Sequence, residues 1–379
     1  MDTSSRQILY IDDATKLASL VAELSRESSI AVDTEAASFH KYVDRIYLIQ
    51  LSGGGRTAIV DPLAVTDLAP LGALLAARQV EKIFHDADYD LRALDRDYGF
   101  RPVHLFDTRI AAQLAGEPAI GLAALLEKYA GVKLSKTHQK ADWSLRPLPP
   151  GMLAYAAADT TYLPVLRAAL AACLTELGRL GWAEEEFVHL EALRWGGRGD
   201  GEEPYLRIKG AKTLDPRARA TLAELFRWRE ELAARENKAP FRIIGNEALF
   251  AVARARPAEP SQLAGLKDLP ASLARRHGPA LFAAVEKARA IPESQLPKIE
   301  RVTRPPKDPE VDQRVERLKA ARNRVAASVG LDPGVLCGRT TLEAVARARP
   351  SNRAGLEQTG ELRRWQVDVL GDALLNALA

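Results

Sequence analysis

The apolar positions of this 379-residue chain change their spacing several times, and each change marks an element. Thr15–Arg26 repeats its apolar residues at the helical period. Ser29-Ile30-Ala31-Val32-Asp33-Thr34-Glu35-Ala36 then reads as a short strand, apolar until its last residues. Ile46–Leu51 and Thr57–Val60, joined through Ser52-Gly53-Gly54-Gly55-Arg56, predict a hairpin. Glu81–His85 predicts another strand, and Asp88 opens a helix with Leu91 and Leu94 on one face. Met152–Leu163 is strongly helical and begins after the break Pro149-Pro150-Gly151. Alternating helical and strand patterns make residues 1–195 an α/β domain. The Gly-rich stretch Gly196–Pro204 opens a linker over 196–211, and everything beyond it reads as helix.

The helical half contains an internal repeat. Ala251-Val252-Ala253-Arg254-Ala255-Arg256-Pro257 recurs unchanged as Ala344-Val345-Ala346-Arg347-Ala348-Arg349-Pro350, an offset of 93 residues. The same offset aligns Leu225 with Leu318, Arg229 with Arg322, Pro240 with Pro333 and Gly245 with Gly338. Two copies of one helical domain are therefore expected, over 212–292 and 309–379. Between them lies a linker over 293–308 that carries Pro305-Pro306.

Three acidic clusters carry the candidate chemistry. In a strand, residues two apart share a face, so Asp33 and Glu35 project together. A solvated surface pair is the plainer account of them at this point, and a metal site is the alternative. Asp86 and Asp88 suit a helix N-terminus, where the dipole favours negative charge, but Asp90 lies deeper, beside the apolar stripe. Tyr155 and Asp159, four apart, share a helix face, as a metal site or a surface contact would. If the fold brings all three clusters together, four carboxylates and a phenol meet. Such a group repels itself unless a cation lies within it, and hard oxygen donors without cysteine favour Mg²⁺ or Mn²⁺. Two such ions are the usual means of cutting a phosphodiester.

Composition narrows the setting. No apolar run approaches the length of a membrane helix, and Met1-Asp2-Thr3-Ser4-Ser5-Arg6 has no signal-peptide character. The only two cysteines, Cys173 and Cys337, lie in apolar surroundings, which fits a reducing cytoplasm and no disulfide framework. Net charge is +3, divided unevenly. Residues 1–200 hold 21 Lys/Arg against 27 Asp/Glu, and residues 201–379 hold 32 against 23. A basic half joined to an acidic one fits either a polyanion-binding surface or a solvated helical surface. Gly53-Gly54-Gly55 lacks the Gly-Lys-Ser/Thr ending of a P-loop, which argues against a helicase ATPase.

In order and spacing the acidic segments resemble the three motifs of the DEDD exonuclease superfamily, and Tyr155-x-x-x-Asp159 resembles its DEDDy branch. Lys136-Thr137-His138-Gln139-Lys140-Ala141-Asp142-Trp143-Ser144-Leu145-Arg146-Pro147-Leu148 resembles the K-x-x-Q-x-x-D-W-x-x-R-P-L run of the ribonuclease D family. Leu225-Phe226-Arg227-Trp228-Arg229-Glu230, Asn237-Lys238-Ala239-Pro240 and Ile243-Ile244 resemble the HRDC module. In the second copy Ala321, Asn323 and Cys337 replace Trp228, Glu230 and Ile244, which makes that copy divergent. The resemblance implies an RNase H-like core, a mixed five-stranded sheet flanked by helices, followed by two all-α HRDC-type domains. It implies that Asp33, Glu35, Asp90 and Asp159 hold two divalent ions and that Tyr155 orients the attacking water. It further implies a 3′→5′ exoribonuclease that trims tRNA precursors at their 3′ ends and releases 5′-mononucleotides; cysteine usage places it in the cytoplasm, and three domains in one chain give no positive reason to expect more than a monomer.

Other positions stay open between substrate contact and ordinary structure. Thr34 offers its backbone to substrate by position. His85 is a strand-end residue near the substrate or a core histidine. Lys136, Lys140 and Arg146 contact phosphate or belong to a solvated loop, as do His40 and His138. Phe39 and Tyr42 stack on a terminal base or pack on the domain. A DNA exonuclease of the same superfamily and a non-catalytic RNA-binding scaffold are the rival readings. A scaffold would be expected to lack one of the acids, and none is missing.

Overall fold

The computed structural model describes residues 8–135, 137–197, 203–299 and 308–379. Among the described residues one sheet has six strands: β1 (Ile8–Ile11), β2 (Ser29–Ala36), β3 (Ile46–Gly53), β4 (Arg56–Val60), β5 (Glu81–Phe84) and β6 (Leu105–Asp107), in the order β1-β4-β3-β2-β5-β6. β1 runs parallel to β4, β4 antiparallel to β3, and β5 parallel to both β2 and β6. Six strands correct the five-stranded expectation. The two edge strands have only four and three residues, too few for a period to register, and pairing with longer neighbours makes them strands.

Eight helices accompany the sheet: α1 (Ala14–Leu24), α2 (Ala69–Leu75), α3 (Asp88–Tyr98), α4 (Thr108–Ala115), α5 (Leu122–Ala130), α6 (Pro150–Thr161), α7 (Leu163–Glu176) and α8 (Leu180–Glu191). Ile30, Val32, Ile49, Leu51, Val60 and Ile83 are buried in the core between them. Two polar devices fix helices on the sheet. Arg167 of α7 grips Glu81 of β5 with Nε and a terminal nitrogen at 2.7 and 2.8 Å, and its guanidinium lies 4.9 Å from the Phe106 ring. At the end of α6, Thr160 and Thr161 join Ser52 and Thr57 in a chain of hydroxyl bonds 2.8–2.9 Å long. No helix among the described residues is long and apolar enough to cross a membrane.

The chain forms two compact units. The first combines Met1–Glu35, Ile46–Trp195 and Pro305–Ala379, and the second combines Ala36–Arg45 with Gly196–Arg304. The repeat appears in both at the predicted offset. In the second unit α9 (Pro216–Glu236), α10 (Pro240–Ile243), α11 (Asn246–Ala255) and α12 (Ala271–Ala290) form one helical domain. In the first, α13 (Pro309–Val329), α14 (Pro333–Leu336), α15 (Arg339–Ala348), α16 (Arg353–Gln358) and α17 (Arg364–Leu378) form the other. Each of α9–α12 begins 93 residues before its counterpart among α13, α14, α15 and α17. The copies differ at the start of their last helix, where Trp365 stands 93 residues after Ser272. Trp365 stacks on Trp182 of α8 at 5.0 Å, and its indole N–H donates to Glu186. The Glu185 carboxylate accepts the backbone N–H groups of Arg364 and Trp365, capping α17.

In the second unit the segment 36–45 packs with the helical domain. Tyr42 lies against the apolar core around Ile243 and Leu249. Phe39 meets Phe241 edge to face at 5.9 Å, and its carbonyl accepts a bond from Arg242 Nε. Part of the stretch read as linker belongs to the same core, since Tyr205, Ile208 and Ala211 are buried there.

Candidate active site

β2 ends in the acids. Its buried part, Ile30-Ala31-Val32, anchors the strand, and the next two outward positions on one face are Asp33 and Glu35. Asp159 arrives from α6. One carboxylate oxygen from each of Asp33, Glu35 and Asp159 can be chosen so that all lie within 4.8 Å of one another. Three hard oxygens at that spacing suit a divalent cation.

Asp90, in the first turn of α3, is buried beside this trio and is held by the Thr34 hydroxyl, which donates to Asp90 Oδ1 at 2.5 Å. The start of α3 is fixed from a distance. Asp107, at the end of β6, accepts the Ala87 N–H at 2.7 Å with one oxygen. With the other it caps α4 through Arg109 and Ile110. Asp107 thus sets the position of Asp90 without being one of the motif acids, and its signal in the sequence is only that of an ordinary N-cap.

Tyr155 lies one helical turn before Asp159 on α6. Its ring is flanked by His138 at 6.0 Å, edge to face, and by the buried Trp143 at 6.0 Å. The run before α6 therefore walls in the phenol. Gly151 allows the approach, because a Cβ there would lie 3.2 Å from the His138 Nε2.

Electrostatics follow from crowding acids away from water. Burial and the neighbouring Asp159 push Asp33 up to about 8. Burial, then Asp33, Asp159 and Asp90, push Glu35 up to about 10. Burial pushes Asp159 up to about 7, and burial with the nearby Asp33 raises Asp90 well above the carboxylate range. Burial and the three acids Asp159, Glu35 and Asp33 hold the Tyr155 phenol above its ordinary value, so it is a poor base. Bound cations would reverse this balance and let the carboxylates ionise together.

A cleft of about 630 Å³ opens over the acids. Asp33, Thr34, Glu35, Tyr155 and Asp159 line it, together with His85 and Gln139. Asp86 and Arg109, paired with each other, lie at it too, and nothing in the local pattern around Arg109 signals that position. Lys136 lies outside the described residues. Arg146, expected at a phosphate or in a solvated loop, has all five of its N–H donors used within the fold. They go to both oxygens of Asp61 at 2.5 and 2.8 Å and to the carbonyls of Trp143, Leu145 and Tyr47. That geometry ties the loop before α6 to β3 and the end of β4, and leaves no donor for a phosphate.

Comparison with known proteins agrees with this geometry. A 3′-5′ exonuclease family model matches residues 8–175, and an HRDC domain model matches residues 218–285 and 311–378. Ribonuclease D of Pseudomonas paraeruginosa is 31% identical over 379 residues, covering 100% of this chain and 99% of that protein. Ribonuclease D of Escherichia coli is 36% identical over 294 residues, 77% of each chain. The crystal structure of Escherichia coli RNase D, described as an exoribonuclease involved in structured RNA processing, superposes with a TM-score of 0.69 at 30% identity over 98% of both chains. A Bifidobacterium adolescentis protein gives a TM-score of 0.83 at 25% identity over 99% of this chain and 98% of that one. With an acidic strand pair and a Tyr-x-x-x-Asp helix gathered on one cleft, a helix acid buried beside them, and two HRDC copies in the same chain, the protein belongs to the ribonuclease D family of DEDD-superfamily 3′→5′ exoribonucleases.

Proposed function

We propose that Asp33, Glu35, Asp90 and Asp159 together hold two divalent ions, Mg²⁺ or Mn²⁺, and that the enzyme trims the 3′ ends of tRNA precursors. The observation that carries the reading is the meeting of Asp33, Glu35 and Asp159 within 4.8 Å at the floor of the cleft, with Asp90 beside Asp33. Held by these carboxylates, such ions would supply the activation of a water and charge stabilisation at the leaving 3′ oxygen. The chain's own groups do the rest. The four carboxylates fix where the scissile phosphate docks. The Thr34 hydroxyl keeps one Asp90 oxygen turned to a fixed direction. Tyr155, a neutral phenol between His138 and Trp143, orients the attacking water by a hydrogen bond and adds no charge. The P–O3′ bond to the penultimate nucleotide breaks, and the terminal nucleotide leaves with its 5′-phosphate.

A folded RNA substrate is supported by what is said of the Escherichia coli relative, which acts in structured RNA processing. The basic half carrying two HRDC copies adds a surface suited to a polyanion. We assign the enzyme to the cytoplasm as a monomer. The test is digestion of a tRNA with a short 3′ extension, beside a matched DNA and an unstructured RNA. The reading expects stepwise removal of the extension as 5′-mononucleotides and a stop near the acceptor stem. Equal rates on the matched DNA would favour the DNA-exonuclease alternative.

A further inference from the structure

His85 stands at the end of β5 and lines the cleft. Its ring is oriented by one bond: Nδ1 lies 2.9 Å from the Thr108 hydroxyl oxygen. That hydroxyl also lies 3.0 Å from the Phe84 carbonyl oxygen, a partner to which it can only donate its single proton. With its one proton on that carbonyl the hydroxyl accepts from Nδ1–H of the imidazole, and Nε2 keeps a lone pair. Thr108 is fully buried and begins α4 directly after the cap Asp107, so this arrangement is built into the scaffold rather than into a mobile loop. Burial holds His85 near 4, with Asp86 opposing and Arg109 adding to the depression, so the ring is neutral at physiological pH.

The other groups placed in the cleft explain why a neutral acceptor is notable. Carboxylates for metal surround the phosphate site, Arg109 offers a cation, and Gln139 offers an amide. A hydroxyl arriving on the substrate needs an acceptor that is not already committed to a cation. Among the described residues no group is hydrogen-bonded to His85 Nε2. The terminal nucleotide is linked directly to the scissile phosphate, so its sugar must lie within this same cleft, whose volume suits one small ligand.

We propose that His85 Nε2 accepts a hydrogen bond from a hydroxyl of the 3′-terminal ribose, with Thr108 fixing the tautomer that makes this possible. His85 is then a specificity-determining residue and Thr108 a positioning residue. The inference rests on the exonuclease reading of the site given above.

The test compares four short RNA oligonucleotides of one sequence under Mg²⁺: an all-ribose end, a 2′-deoxy end, a 3′-deoxy end and an end lacking both hydroxyls. Release of the terminal nucleotide gives kcat/KM for the wild type, His85→Phe, His85→Gln and Thr108→Val. One neutral hydrogen bond corresponds to a discrimination of about tenfold. The wild type should therefore prefer the all-ribose end by about tenfold over one of the singly deoxy ends, and the affected end names the hydroxyl read. In His85→Phe that ratio falls to about one. In Thr108→Val it also falls, although the imidazole remains, because the proton is free to move to Nε2. His85→Gln, which can present a carbonyl oxygen, recovers part of the preference. If His85→Phe fails to fold, Thr108→Val decides alone, since Val replaces Thr at nearly constant volume. Equal losses on all four ends, or an unchanged ratio in both variants, overturns the proposal. An inactive wild type would instead refute the exonuclease reading beneath it.

Discussion

Replacing Arg146 by Ala separates a structural role from a substrate contact. The guanidinium makes five hydrogen bonds, two of them to the carboxylate of Asp61, which is 3% exposed. Without it Asp61 keeps, among the described residues, the Tyr10 hydroxyl at 2.6 Å and the Leu63 N–H at 3.0 Å. Removing one partner of a fully buried pair costs about 3–5 kcal/mol. The Arg146 side chain is 25% exposed, so water can reach part of the gap, and a loss of about 2–3 kcal/mol is expected. For a unit of this size that corresponds to a fall in Tm of about 5–10 °C, readable by scanning calorimetry. The pH dependence has a definite sign. Burial alone would raise the Asp61 carboxyl, but its bonds to Arg146, Tyr10 and Leu63 outweigh burial and hold it below the usual range. A depressed carboxyl contributes stability above its unfolded value of about 3.9 and loses it as pH falls through the folded value. The Tm difference between wild type and variant should thus be flat from pH 8 to about 5 and shrink below about 4. An unchanged Tm with a raised KM would place Arg146 on the RNA and refute the structural role.

Further predictions follow from the acids and from α6. In chelator, stability should fall as pH rises from about 5 to 8, because the folded site keeps protons that the unfolded chain has released, Asp33 titrating near 8 and Asp159 near 7. Mg²⁺ should oppose that fall, with a Tm increment that grows with pH, and Asp33→Asn should raise the chelator Tm at pH 8 while losing the increment. Tyr155→Phe should lower kcat by about a hundredfold with KM little changed, as expected when a group positions the reacting water; an unchanged kcat contradicts the role. Thr160→Val removes the hydroxyl that bonds Ser52 at 2.8 Å and should cost about 1 kcal/mol in a denaturant melt. It should also lower kcat, because Asp159 is its neighbour on the helix.

Much of this arrangement is legible from local pattern. The strand Ser29–Ala36 and the helix opening at Asp88 form as the pattern predicts, and the helix carrying Tyr155 and Asp159 begins two residues earlier and ends at Thr161. In each case the period and the breaking residues lie within the segment itself. The repeat is equally plain, because an offset of 93 residues needs only comparison of the chain with itself. What escapes depends on partners distant in sequence. Arg146 in a basic loop gives no sign of Asp61, which lies 85 residues away. Asp107 looks like any helix cap, and only the fold brings the Ala87 N–H to its second oxygen. The packing of 36–45 with residues 239–243, and the stacking of Trp365 on Trp182, join segments that no periodicity connects.

We propose that Asp33, Glu35, Asp90 and Asp159 act through divalent ions on an RNA 3′ end. The most direct test is a Mg²⁺ titration of nucleotide release from a 5′-labelled, 3′-extended tRNA, run with wild type and Asp33→Asn and repeated in EDTA. Single-nucleotide shortening from the 3′ end should saturate with Mg²⁺ and be abolished by EDTA and by Asp33→Asn. Shortening that persists in EDTA, or at full rate in Asp33→Asn, would contradict this proposal.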